Sequence, residues 1–180
     1  ATDPEPAMKI FEPHIHMYSR NTRDYAEMAA AGIRSIIEPG GFWLGRARKH
    51  PETCLEYFDH LLEFEHTRAE KAGIQYHCTF ALNPKEAHTP AIRERVMAEL
   101  PSYLDHPMCP ALGEVGYDVI DDVEEQVILE QLQMAKDRNL PVLVHTPHVD
   151  KLEGTHRLIA NCRDVGIDAD LIEIDHCTEE

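Results

Sequence analysis

The chain has 180 residues and a mass of 20.5 kDa, its formal net charge is −16, and 43% of its residues are hydrophobic. This length suits one buried core, so we expect a single domain over residues 8–180. The excess of acids opposes non-specific attraction to nucleic acid or anionic lipid. No apolar run approaches the roughly 18 residues that a membrane-spanning helix needs.

Six short apolar segments alternate with five helical ones along the chain. The strands are predicted at 9–11, 33–39, 76–82, 109–117, 142–144 and 171–174. The helices are predicted at 22–31, 51–72, 91–104, 123–138 and 149–164, and Pro101 is expected either to kink or to end the third of them. Such alternation is typical of βαβ units, so we predict an α/β fold with a parallel sheet.

Residues 1–7 and the cysteines bear on the cellular context. Residues 1–7 are small and polar and lack the basic and apolar regions of a signal peptide, so we interpret them as a leader or a cloning remnant ahead of Met8. The five cysteines show no Cys-x-x-Cys spacing. Reduced thiols in a cytoplasmic protein are therefore expected.

Two histidines, His14 and His16, follow the first strand one residue apart. Residues i and i+2 of an extended chain project to the same side, so both imidazoles can enter one cavity and bind a divalent metal. Alone this motif is weak evidence, because the chain has 12 histidines.

Further ligand-type residues end later strands. Glu114 ends the fourth strand, His145 the fifth and His176 the sixth. The carboxyl ends of parallel strands meet at one rim of the sheet, where catalytic residues of such folds gather. Four histidines and one glutamate on the same rim therefore predict a divalent-metal site.

The order and spacing of these residues resemble those of the TatD-like metal-dependent hydrolases, within the amidohydrolase superfamily of (β/α)8 barrels. The matching segments are His14-Ile15-His16, Gly113-Glu114-Val115-Gly116-Tyr117-Asp118, Leu143-Val144-His145 and His176-Cys177. The resemblance implies a parallel TIM-barrel fold with two adjacent divalent ions. His14 and His16 would hold the first ion. His145 and His176 would hold the second, with Glu114 as the bridging and catalytic carboxylate.

The resemblance also implies the chemistry. A metal-activated hydroxide would attack an ester, phosphoester or amide bond of a small-molecule or phosphoester substrate. Imidazole and carboxylate ligands make Zn the expected metal, with Mn, Fe or Mg as alternatives.

Three positions depart from the family pattern. Glu12 stands two residues before the first histidine, where the family usually has aspartate, and Asn83 stands where a histidine usually faces the substrate. Thr146 and Pro147 follow His145, where the family usually has an arginine two residues on. The last two changes and the acidic surface argue against DNase activity.

Other residues near this rim are candidates for binding or support. Asn83 is expected to contact the substrate. Phe42 and Trp43 lie in the glycine-rich loop after the second strand and either line the substrate pocket or pack under that loop. Asp118 either orients a ligand histidine or is an acid at a helix N-terminus.

The predicted strand count bears on how the barrel closes. A complete barrel of this kind has eight strands in roughly 250 residues, and six βα units are predicted here. The family's last-strand aspartate has no counterpart, and the first and sixth strands would be unpaired edges. We therefore expect further sequence or another chain to supply the missing strands.

Two alternatives to a hydrolase stay open at this point. Metal-dependent sugar isomerases are also TIM barrels, but they use several acidic ligands and a catalytic lysine or second carboxylate. Lys85 is the only lysine near a strand end that suits such a role. The other alternative is a metal-stabilised accessory barrel, which would bind metal without turnover.

Overall fold

Strands and helices alternate in the computed structural model, which describes residues 8–41 and 45–177. The strands are β1 (Ile10–Glu12), β2 (Ile33–Pro39), β3 (Gln75–Thr79), β4 (Leu112–Gly116), β5 (Val142–His145) and β6 (Ile172–Asp175). The helices are α1 (Thr22–Ala30), α2 (Pro51–His60), α3 (His66–Lys71), α4 (Pro84–Ala87), α5 (Pro90–Leu104), α6 (Asp122–Arg138) and α7 (Lys151–Val165). The predicted leader, residues 1–7, lies outside the described residues.

The strands form two parallel three-stranded sheets. β1, β2 and β3 pair in that order, as do β4, β5 and β6. A parallel bridge between Phe80 and Leu112 joins the end of the first sheet to the start of the second. The predicted α/β class with parallel strands is therefore confirmed. Within the described residues the strands do not close into a barrel, and the six-unit barrel stays a prediction.

Some boundaries differ from the sequence-based expectation. The predicted helix 51–72 is α2, a π-helical turn (Leu61–Glu65) and α3 in succession. Pro101 lies inside α5, which continues to Leu104, so this proline does not end the helix. The fourth strand begins at Leu112 rather than at residue 109, because Pro110 has no backbone N–H to donate to a ladder.

Local sequence signals explain where the helices begin and end. Asn21 caps α1 in a reciprocal pair with Asp24, and the Asp121 carboxylate accepts the first free N–H groups of α6. α6 ends at Asn139 and α7 at Gly166, both with left-handed backbone conformations. Among the described helices we find none with the length and apolar character that crossing a bilayer demands.

A buried ion pair lies between α3 and α1. Glu65 and Arg68 are 1% and 8% exposed, and Arg68 Nη1 is 2.6 Å from one Glu65 oxygen and 2.8 Å from the other. The Tyr25 hydroxyl donates to the same carboxylate, over 2.8 Å. Arg68 also donates to the Arg20 carbonyl and to the Thr22 hydroxyl. The pair therefore fixes the segment that follows the His14–His16 motif.

Parallel strands bring their carboxyl ends to one rim. Residues just after β1 and at the ends of β4, β5 and β6 therefore meet there. The core beneath the rim is apolar and fully buried, and it includes Ile36, Phe80, Leu112, Val115 and Val144. This packed layer fixes the strand ends that carry the candidate ligands.

Candidate metal centre

The histidines predicted as metal ligands surround the Glu114 carboxylate. His14 Nε2 is 3.5 Å and His145 Nδ1 is 3.1 Å from its Oε1, while His16 Nε2 is 3.8 Å from its Oε2. His14 Nε2 and His16 Nε2 are 3.4 Å apart. Both carboxylate oxygens therefore face imidazole nitrogens from other strands, as a bridging carboxylate would.

His176 completes the group of predicted ligands. The centroid of its ring is 4.7 Å from that of His145 and 6.0 Å from that of His14. The structure thus brings together all five residues that were predicted to bind metal, although their ligand roles stay a prediction.

Asp175 is a member of this cluster that the sequence reasoning missed. Its Oδ2 is 3.2 Å from His14 Nδ1 and 3.0 Å from His176 Nε2. Potential ligand atoms of His14, Glu114, Asp175 and His176 all lie within 4.8 Å of one another. The rim rule that selected His176 applies equally to Asp175, the last residue of β6, so the sequence contained the signal.

Burial and charge decide what this cluster can hold. Glu114 is 2% exposed, and in the described part of the chain no lysine or arginine lies within ion-pair distance of it or of Asp175. Burial lowers the pKa of His16 and of His176, which outweighs the attraction of the nearby carboxylates. Imidazole nitrogens around a buried carboxylate without a cationic side chain fit a divalent cation.

Two glycines permit the close packing around Glu114. A Cβ on Gly116 would lie 2.2 Å from the carbonyl oxygen of His145, and one on Gly41 would lie 3.0 Å from the backbone nitrogen of Glu114. Any side chain at Gly116 would therefore separate β4 from β5. Beside the cluster, a cavity of about 850 Å³ opens along residues 14–24, with His14, His16 and Ser19 in its wall.

The loop after Glu114 is held by a second buried carboxylate. Glu124 is 1% exposed and accepts the backbone N–H groups of Asp118, Val119 and Ile120. The Asp118 carboxylate forms an ion pair with Lys85. Its predicted role in orienting a ligand histidine stays a prediction.

The candidates for substrate contact have different outcomes. Asn83 is buried, and its Oδ1 accepts the backbone N–H of Lys85 over 3.0 Å, so it caps α4. Contact between Asn83 and a substrate stays a prediction. Phe42 and Trp43 lie outside the described residues.

Glu38, near the end of β2, is another residue that the sequence reasoning missed. It is fully buried, accepts the backbone N–H of Tyr18 over 2.7 Å and accepts the Tyr76 hydroxyl over 2.8 Å. Burial raises its pKa from 4.5 to about 7, although the two hydrogen bonds act in the opposite direction. Glu38 thus positions Tyr18, two residues after His16.

We expect Glu38→Gln to change how stability depends on pH. In the folded protein Glu38 keeps its proton between pH 4.5 and about pH 7, whereas the same carboxyl group in the unfolded chain releases its proton in this range. The contribution of Glu38 to the free energy of unfolding is therefore complete below pH 4.5 and is lost as the pH rises to about 7. Glutamine does not titrate, so the variant does not show this loss. Between about pH 5 and about pH 8 its free energy of unfolding should therefore rise relative to that of the unchanged protein, by up to about 3 kcal/mol. Urea unfolding at a series of pH values measures the difference.

The control for this prediction is Glu63→Gln, at an exposed position on the π-helical turn. Its unfolding free energy should follow that of the unchanged protein across the pH range. Parallel pH curves for Glu38→Gln and the unchanged protein would contradict the raised pKa.

Comparison with known proteins identifies relatives along nearly the whole chain. A family model described as TatD related DNase matches residues 11–178. An uncharacterized metal-dependent hydrolase of Methanocaldococcus jannaschii is 30% identical over 175 residues, which are 95% of this chain and 66% of that protein. The chain therefore spans slightly less than two thirds of the length of this relative.

Solved structures agree with this match. The TatD-like protein of Archaeoglobus fulgidus has a TM-score of 0.80 and 27% identity, over 94% of this chain and 70% of that one. A phosphotriesterase homology protein of Escherichia coli, with phosphate in its active site, has a TM-score of 0.62 at 15% identity, over 96% of this chain and 63% of that one, and shows the shared fold alone. The family match extends from β1 to the end of β6 and includes every candidate ligand. The chain therefore belongs to the TatD family of metal-dependent hydrolases.

Proposed function

We propose that this chain provides the metal centre of a hydrolase that cleaves an ester, phosphoester or amide bond. The observation that carries the proposal is the Glu114 carboxylate, whose two oxygens face His14, His16 and His145 in a site without lysine or arginine among the described residues. The chain spans 66% of the length of the related metal-dependent hydrolase. The activity of the whole protein is therefore proposed together with the metal centre.

The donor set supports two divalent ions. His14 and His16 would hold one ion. His145 and His176 would hold the other, with Glu114 between the two. Bound there, the ions would polarise the scissile bond and lower the pKa of water. Imidazole and carboxylate donors favour Zn, with Mn, Fe or Mg as alternatives.

Asp175 lies beside two of the proposed ligands. Its Oδ2 is 3.2 Å from His14 Nδ1 and 3.0 Å from His176 Nε2, and this buried oxygen accepts no hydrogen bond from the described residues. A buried carboxylate oxygen without a hydrogen bond suits a cation as its partner. Asp175 would therefore add an oxygen ligand to the centre.

We place the protein in the cytoplasm. Cys54, Cys78, Cys109 and Cys162 are buried free thiols. Burial raises the pKa of Cys109 and of Cys162 to about 11, which keeps both thiols protonated and unreactive. Buried reduced thiols are usual in the reducing compartments of cells.

The test is the double variant His14→Ala/His16→Ala in the full-length protein. We expect the unchanged protein to bind divalent metal and to hydrolyse at least one member of a panel of nitrophenyl esters, phosphoesters and anilides. The variant should lose more than about 100-fold in rate, because it removes two direct ligands and even their supporting groups are worth about 10–100-fold. Metal content and initial rates measure the outcome.

The matched control is His66→Ala/His156→Ala, which removes two histidines that lie outside the cluster. It should retain both metal and activity. Hydrolysis that persists in His14→Ala/His16→Ala would refute the proposal. Bound metal without hydrolysis in the unchanged protein would also refute it, in favour of an accessory role.

A further inference from the structure

A basic loop interrupts the acidic surface beside the metal centre. Residues 45–50, here called the basic loop, contain Arg46, Arg48, Lys49 and His50 and no acid. The whole chain has 33 acids against 17 lysines and arginines. The loop follows β2 and therefore lies at the same rim as the candidate ligands.

The basic loop forms one wall of a cavity of about 370 Å³. Tyr18 and Tyr57 contribute the aromatic part of its lining, and their ring centroids are 4.8 Å apart in an edge-to-face arrangement. The cavity thus combines cationic side chains with aromatic surface, a combination suited to an anionic group on an organic skeleton.

Arg48 has a structural partner and shapes this wall. Its Nη1 and its backbone N–H both donate to Oε1 of Glu86, over 3.1 and 3.0 Å, and that carboxylate is 2% exposed. The Arg48 guanidinium also lies 4.9 Å from the Tyr57 ring centroid. The charge of Arg48 is therefore neutralised within the protein.

Arg46 and Lys49 differ from Arg48 in their exposure and in their ion pairing. Both side chains are exposed, and within residues 8–41 and 45–177 neither forms an ion pair. Glu56 lines an adjoining cavity, which shares Tyr18, Thr53 and Tyr57 with this one. Two cations without a carboxylate partner thus face the cavity, in a protein that is otherwise strongly acidic.

The cavity lies close to the metal centre. Tyr18 is two residues after His16, which limits their Cα separation to roughly 7 Å. The backbone of Tyr18 is fixed by Glu38, while His16 and Ser19 line the cavity at the metal cluster. The segment 14–19 therefore contributes to the lining of both cavities.

We propose that the basic loop binds a phosphate monoester group of the substrate, a handle distinct from the bond that is cleaved. This inference rests on the proposed hydrolase, for which it names the substrate class: small esters or amides that carry a phosphate. Such a phosphate has a charge of about −1.5 to −2 at neutral pH, which Arg46 and Lys49 together match. Arginine also matches phosphate geometry through paired N–H groups.

The test compares Arg46→Ala/Lys49→Ala with the charge-matched control Lys9→Ala/Arg95→Ala. Both control residues are exposed, and among the described residues Arg95 forms its ion pair with Glu99 on the same helix, α5. Calorimetry with phenyl phosphate on the metal-free proteins measures the handle site alone. We expect the loop variant to bind at least about tenfold more weakly than the unchanged protein and the control.

A kinetic comparison on the metal-loaded proteins then tests the substrate class. The substrates are 4-acetoxyphenyl phosphate and its neutral counterpart 4-methoxyphenyl acetate. Both contain the same aryl acetate ester, which is the bond to be cleaved. The loop variant should raise KM about tenfold for the phosphate substrate and leave the neutral one unchanged. Equal binding of phenyl phosphate by the loop variant and the control would overturn the inference, as would an equal loss on both substrates.

The two proposals fail in different ways. If the unchanged protein hydrolyses neither of these substrates nor any member of the nitrophenyl and anilide panel, yet only the loop variant loses binding of phenyl phosphate, the hydrolase proposal fails while the phosphate site is supported. If hydrolysis depends on His14 and His16 but the loop variant matches the control in both assays, the hydrolase is supported and the phosphate handle is refuted.

Discussion

Glu114→Gln is expected to lower hydrolysis by more than about 100-fold and to remove the stabilisation that divalent metal gives the unchanged protein. Both oxygens of Glu114 lie near histidine nitrogens, so one carboxylate serves the whole cluster. Glutamine has nearly the same shape but no negative charge, and its NH₂ group cannot act as a metal ligand. At metal concentrations about 100-fold above Kd, the unchanged protein should gain about 2.7 kcal/mol that the variant does not.

The metal-free state separates this explanation from a simple loss of stability. Glu114 is buried without a lysine or arginine partner in the described part of the chain, so its charge is costly when no metal is present. Metal-free Glu114→Gln should therefore be at least as stable as the metal-free unchanged protein. Thermal unfolding with and without added zinc measures both quantities.

Glu124→Gln is the matched control, because Glu124 is equally buried in a different role. Its carboxylate accepts three backbone N–H groups, so the amide should reduce stability in both states and leave the gain on metal addition unchanged. A metal-dependent rise in melting temperature that persists in Glu114→Gln would show that Glu114 is not a ligand.

The part of the site that could be predicted from the sequence is the part set by strand ends. His14, His16, Glu114 and His145 each follow or end an apolar segment, and parallel strands carry such positions to one rim. His176 follows the same rule. The parallel α/β architecture is predictable for the related reason that the period of the apolar pattern changes regularly along the chain.

The burial of two carboxylates away from the ligand cluster could not be predicted in this way. Glu38 and Glu65 look like ordinary exposed acids in the sequence, because their burial depends on partners that are remote along the chain. Tyr18 lies 20 residues before Glu38, and Tyr25 lies 40 residues before Glu65. No local period or composition contains that information.

The cavity beside the basic loop could not be predicted from the sequence for the same reason. The basic residues at 46–50 are too few to be interpreted from the sequence as a lysine–arginine block that binds anions, and the cavity exists because α2 and the segment after β1 place Tyr57 and Tyr18 against this loop. A short basic stretch in a sequence is otherwise equally compatible with a fully solvated turn.

Arg68→Met is expected to lower the free energy of unfolding by about 3–5 kcal/mol, the largest stability loss that we predict. Methionine fills a similar volume but leaves the buried Glu65 carboxylate without its main partner, which lies 2.6 Å away in the unchanged protein. The variant also loses the donors to the Arg20 carbonyl and the Thr22 hydroxyl. Arg20 lines the cavity at the metal cluster, so binding of metal should weaken together with stability.

The double variant Glu65→Gln/Arg68→Met distinguishes loss of the ion pair from loss of packing. Removal of both charges leaves no uncompensated buried ion, so the double variant should be more stable than Arg68→Met alone. Arg23→Met should change little, because Arg23 and its partner Glu27 are largely solvent-exposed. Urea unfolding at neutral pH measures all three variants. A double variant less stable than Arg68→Met would mean that Glu65 is held mainly by Tyr25 and His60, whose side chains also contact its carboxylate.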